Sequence, residues 1–198
     1  SMTTPTRAQE LAEAHERKTL GFWIYLMTDC VLFATLFAVF VVLRNATAGG
    51  PTGAELFDMP FVLLETMLLL SSSFTVGLAL LSARDGKKTQ SLVWLAVTFL
   101  LGASFLAMEL YEFNHLLHEG AGWTVSAFLS AFFVLVATHG LHIAIGLIWL
   151  VVVFVRLKKY NFRETDVRRL SLFSLFWHFL DVIWIFIFSI VYLIGGMA

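Results

Sequence analysis

At 198 residues, with 59% hydrophobic and 15% aromatic side chains, only 14% charged residues and a mean hydropathy of +0.85, the chain is excluded from the soluble globular class. A net charge of -1 carries no nucleic-acid signature, so no nucleic-acid partner is expected, and the informative quantity is where the charges fall between the apolar runs. The single cysteine, Cys30, lies inside such a run, has no internal disulfide partner and reads as a small packing residue.

Residues 1–20 are polar and mixed in charge, lack the apolar core of a signal peptide, and read as a polar cytoplasmic segment in which Glu10 to Lys18 forms a short surface helix. A transmembrane domain is expected over 21–198. It holds five runs long and apolar enough to cross a bilayer as helices, at about 21–43, 60–83, 91–113, 126–155 and 172–195. None shows the alternating pattern of a barrel strand, so the predicted fold is all-α, a bundle of five transmembrane helices that satisfies its backbone hydrogen bonds internally. Residues 83–90 allow only a hairpin, which makes spans two and three antiparallel neighbours. The connection from Asn45 to Met59 is rich in Gly, Thr and Pro and reads as an ordered external turn.

Twelve of the thirteen Lys and Arg residues precede the first span or lie in the second and fourth connections, and only Arg44 lies on the opposite side. The positive-inside rule then puts the N-terminus in the cytoplasm and the C-terminus outside. Trp23, Trp123, Tyr160 and Tyr192, near span ends, read as interface anchors.

Ionisable groups inside hydrocarbon are costly and need a partner, a cavity or a function. At about 1.5 Å of rise per residue, Asp29 lies roughly 12 Å from the cytoplasmic side, and His178 and Asp181 lie roughly 9 and 14 Å from that side in the fifth span. These three are expected to share a layer, with His178 and Asp181 hydrogen-bonding across the bundle near Asp29. His139 and His142 fall near the middle of the fourth span, one turn apart on one face, among the small residues Ala137, Gly140, Ala144 and Gly146. Glu65, Glu109 and Glu112 lie toward the external side, and His115 and His118 are expected, solvated, in the connection beyond them. For each buried group an interhelical hydrogen bond competes with a functional role.

Three membrane histidines raise the question of haem or metal. A one-turn pair on one helix cannot put both rings on opposite faces of one macrocycle, and Cys-rich or His-x-x-x-His companions are missing, so no metal or cofactor ligand set is expected. An autonomous b-type cytochrome and a small proton channel or transporter remain the alternatives.

The stretches W-H-F-L-D-V-I-W at Trp177–Trp184 and T-H-G-L-H at Thr138–His142 resemble subunit III of haem-copper terminal oxidases. So do F-W-I-Y-L-M-T-D-C-V-L-F at Phe22–Phe33, P-F-V-L-L-E-T-M-L-L-L-S-S at Pro60–Ser72 and M-E-L-Y-E-F at Met108–Phe113. Five spans and the motif wording are most similar to the bo-type ubiquinol oxidase branch. The resemblance implies a non-catalytic subunit of a complex that oxidises ubiquinol, reduces oxygen and pumps protons in the bacterial inner membrane. Haem and copper are implied in subunit I, with subunits II and IV as further partners. It implies phospholipid held in a cleft between helix groups, and support of proton uptake. Asp29, Glu65, Glu109, Glu112, His139, His142, His178 and Asp181 become candidates for a polar, lipid-lined interior, and Arg84 and Arg156 for lipid head groups. Many relatives carry Glu where this chain has Asp29, so that carboxyl reaches about one methylene less far.

Overall fold

The computed structural model describes residues 4, 6–43, 59–118, 127–160 and 164–190. Arg44, the first external connection, Trp123, Tyr192 and the end of the fifth run beyond residue 190 lie outside them. Five helices follow in chain order: α1 (Arg7–Leu43), α2 (Met59–Arg84), α3 (Lys88–His118), α4 (Ala127–Lys159) and α5 (Glu164–Ile187). All five are long and apolar enough to cross a membrane.

Two helices start earlier than the hydropathy suggests. α1 absorbs the expected surface helix, because 7–20 are strong helix formers and Gly21 alone does not break the run. α5 begins eight residues before Leu172 because Glu164–Arg169 continue the helix with Asp166 and Leu170 turned inward. α3 likewise runs to His118, so His115 belongs to the helix, stacked at 6.3 Å on Tyr111.

α2 and α3 form the expected hairpin. Gly86, at φ 74°, takes the left-handed turn that ends α2, and the amide of Lys87 donates to the Ser82 carbonyl at 2.8 Å. Lys88, opening α3, donates its ammonium to the carbonyls of Lys158 and Tyr160 at 3.1 and 3.2 Å and so satisfies the end of α4.

Helices α2, α3, α4 and α5 pack in a closed ring, each against its two neighbours, and α1 lies outside the ring on the seam between α4 and α5. This differs from the expected cleft between helix groups. The reason is local: α5 inserts Trp177 and Trp184, both fully buried, into the ring interior. A side chain on Gly102 of α3 would come within 2.8 Å of the Trp177 ring, and one on Gly146 of α4 within 3.0 Å. Glycines on two helices thus let a large aromatic fill the space that a cleft would occupy. Two apolar hollows among the described residues are open grooves on the outer surface. One lies between α3 and α4 (Leu95, Phe99, Leu150, Phe154), about 290 Å³, and another between α1 and α5, about 310 Å³.

Candidate functional site

The W-H-F-L-D-V-I-W stretch of α5 reads a row of hydroxyls on α2. The Trp177 indole donates to Ser72 Oγ at 2.9 Å, the Trp184 indole donates to Thr66 Oγ1 at 3.0 Å, and His178 Nδ1 lies 2.7 Å from Ser73 Oγ. Seven residues separate the two tryptophans, close to two helical turns, so both rings face α2. Ser72 and Thr66 pass the bond on by donating to the carbonyls of Leu69 and Val62. The sequence signalled the tryptophans but not these hydroxyl partners.

Asp181 is buried and lies beside the same Ser73, with Oδ1 lacking a hydrogen-bond partner among the described residues. The expected bonding of His178 and Asp181 toward Asp29 is therefore corrected: both turn to α2, whereas Asp29 turns to α4. His178 itself is exposed, at the wall of the groove between α1 and α5, and does not belong to the interior.

Asp29, buried on α1, accepts from or donates to His142 Nε2 at 3.1 Å, with the Tyr25 hydroxyl beside it. His142 Nδ1 lies 2.7 Å from the Thr138 carbonyl, which can only accept, so Nδ1 carries a proton. Nε2 then either carries a second proton and faces a carboxylate, or accepts the proton of a neutral Asp29. Phe33, fully buried, packs on the His142 ring at 5.3 Å and keeps the pair from lipid.

His139 points elsewhere than His142. A step of three residues falls short of the 3.6-residue turn, and His139 faces α5, where Nε2 donates to the Leu180 carbonyl at 2.9 Å. Its ring is boxed by Phe105 and Trp184 at 5.8 and 5.3 Å.

Glu65 of α2 and Glu109 and Glu112 of α3 gather into one buried carboxyl cluster, 0%, 1% and 7% exposed. Glu109 nestles against α4 where Gly140 leaves room, since a side chain there would meet Oε2 at 2.9 Å. Both oxygens of Glu65 and of Glu109 lack a hydrogen-bond partner among the described residues. An ionised carboxylate only accepts, so any hydrogen bond within this trio requires a bound proton. The cluster and the Asp29–His142 pair are two separate polar groups, one inside the ring and one on its outer seam.

Neither arginine candidate reaches the interior. Arg84 is exposed in the last turn of α2, and Arg156 lines a cavity of about 310 Å³ with Tyr160, Thr165, Asp166 and Arg169. Among the described residues no group of three or more His, Cys, Asp or Glu side chains is placed to hold a metal ion.

Comparison with known proteins gives the geometry its family. The profile of cytochrome c oxidase subunit III matches residues 9–196. The chain is 54% identical over 183 residues to the cytochrome bo(3) ubiquinol oxidase subunit 3 of Pseudomonas putida, an alignment that takes in 92% of this chain and 88% of the relative. Against the protein of the same name from Pseudomonas aeruginosa it is 49% identical, with 99% and 100% covered. Against the quinol oxidase subunit 3 of Bacillus subtilis it is 48% identical, with 93% and 90% covered. The matched residues take in the seam pair, the carboxyl cluster and the tryptophan ladder together, and the chain belongs to the cytochrome c oxidase subunit III family.

Proposed function

We propose that this chain is the accessory subunit III of a haem-copper oxidase that takes electrons from ubiquinol, reduces oxygen to water and translocates protons, with the redox centres held by subunit I. The observation that carries this reading is the match along nearly the whole chain to relatives named ubiquinol oxidase subunit 3. Subunits II and IV complete the partnership, and the location is the bacterial inner membrane with the N-terminus in the cytoplasm, as the basic residues favour.

The side chains support a non-catalytic role. Both ring nitrogens of His142 are engaged, His139 spends Nε2 on a backbone carbonyl, and His178 lies on another face of the bundle. The three rings thus face different helices and do not converge on one site where two of them could ligate a single haem, which weighs against an autonomous b-type cytochrome. A transporter is disfavoured by the ring core, which is filled by Trp177, Trp184, Phe105 and Phe132. What remains is a rigid apolar body whose internal polar groups fix helix positions and steady subunit I. Bound phospholipid fits the apolar groove between α3 and α4, with Arg84 or Arg156 drawing anionic head groups at the cytoplasmic rim.

Deleting this chain from a strain that depends on the oxidase tests the proposal. The expected result is an oxidase that keeps its haem spectrum but is recovered in lower yield and inactivates faster during turnover. Loss of a haem absorbance that belongs to the deleted chain itself would overturn it.

A further inference from the structure

Among the described residues, His178 is an exception: an imidazole exposed at membrane depth, where the other intramembrane acids and histidines, Asp29, Glu65, Glu109, Glu112, His139, His142 and Asp181, are buried. Its Nδ1 is anchored to Ser73 Oγ at 2.7 Å. Nε2 has no partner among the described residues, and whichever nitrogen carries the proton, Nε2 keeps one unmet hydrogen-bonding capacity. The ring lines the groove of about 310 Å³ between α1 and α5, whose other walls are Trp23, Leu26, Met27, Cys30, Leu175, Phe179 and Val182. Trp23, Met27 and Val182 are 46%, 63% and 50% exposed there. α1 is also the least buried of the five spans.

We infer that the groove between α1 and α5 is where a membrane-spanning helix of another oxidase subunit docks, presenting a hydroxyl or amide side chain to His178 Nε2. The inference rests on the proposed place of this chain in a multi-subunit oxidase. Acyl chains carry no hydrogen-bonding group, so a lipid covering the groove leaves the imidazole unsatisfied in hydrocarbon, at the cost that makes such groups rare. A helix presenting a polar side chain at this depth satisfies it while packing on the apolar walls, and interhelical bonds of this kind hold membrane helices together. Ser73 fixes the ring so that the bond is directional. The asymmetry also fits: the groove between α3 and α4 is apolar throughout and suits lipid, whereas the α1–α5 groove has a polar recognition point.

The test is photo-crosslinking in the intact oxidase, with a photoreactive amino acid at Val182, beside His178 on the groove wall, and at Leu100 on the α3–α4 groove as comparison. The expected result is a covalent adduct between position 182 and one other polypeptide of the complex, and lipid adducts at position 100. Only lipid or quinol adducts at 182, in a complex that retains all its subunits, would overturn the docking site. Failure of the chain to co-purify with any other subunit would instead overturn the proposed function. A second readout is retention of the chain through detergent purification: His178→Leu should lose about tenfold more subunit than wild type, and His178→Gln, which keeps a donor and an acceptor, should recover most of it. Equal retention of H178L and wild type contradicts the inference. Unfolding midpoints of the stripped subunit separate this effect from folding: H178L is expected to match wild type there, and a midpoint lowered in step with the lost retention would overturn the inference.

Discussion

His142 Nε2 lies 3.1 Å from Asp29 Oδ2, and this buried contact ties α1 to the four-helix ring. Because His142 Nδ1 is committed to the Thr138 carbonyl, the bond to Asp29 is charge-assisted or is donated by a neutral acid, and either form is directional. Elsewhere α1 meets α4 and α5 through apolar contacts such as Phe22 with Trp149 at 5.9 Å, so the pair supplies the register of that packing.

Asp29→Ala leaves His142 Nε2 buried without a partner and should destabilise the subunit by about 1–3 kcal/mol. Removing both residues should cost clearly less than the sum of the single changes, with a coupling of about 1 kcal/mol. Thermal or denaturant unfolding of the purified complex carrying the four variants measures it. Additive effects would show that the contact does not couple α1 to α4.

The tryptophan ladder predicts an asymmetry. Thr66→Val strands the Trp184 indole N–H in the apolar interior and should cost about 1–3 kcal/mol, while Ser71→Ala, one residue from Ser72 but exposed, should cost nothing measurable. Ser72→Ala should resemble Thr66→Val, because it strands the Trp177 indole. Unfolding monitored by tryptophan fluorescence checks this ordering.

Close packing at Trp177 predicts that Gly102→Ala and Gly146→Ala each overpack the ring and cost about 1–3 kcal/mol. Gly77→Ala, which meets nothing within 4 Å, should be neutral or slightly stabilising. The level of folded subunit in membranes, with unfolding midpoints, distinguishes them.

The five helices and the α2–α3 hairpin were legible in the sequence, because long apolar runs and a short connection are one-dimensional signals. Rotation about each helix axis was not legible. These helices are apolar nearly all round, so no strong stripe says which face is inward, and the rotation of α1 decides whether Asp29 meets His178 or His142. The polar layer expected around Asp29, His178 and Asp181 therefore divides into a seam pair with His142 and a ladder to Ser73. The hydroxyls of Thr66, Ser72 and Ser73 were invisible as partners, since Ser and Thr in membrane helices usually bond back to their own backbone, as Thr28 and Thr35 do here. The helix starts at Arg7 and Glu164 were missed because hydropathy marks where a helix enters lipid and not where it begins.

The carboxyl cluster predicts a distinction between shape and charge. Glu65→Gln keeps the size of the side chain and supplies its own amide donor, so the subunit should assemble at wild-type levels. Glu65→Ala removes the packing of a fully buried side chain and should cost about 2 kcal/mol. Blue-native gels of membranes from both strains read the outcome.

Purification of the tagged chain from native membranes tests the central claim most directly. The account predicts that it co-purifies with a haem-copper subunit, that the preparation oxidises ubiquinol, and that the haem spectrum remains with the other subunits when this chain is stripped away. Recovery of the chain alone from intact membranes, or of haem bound to the stripped chain, would contradict it.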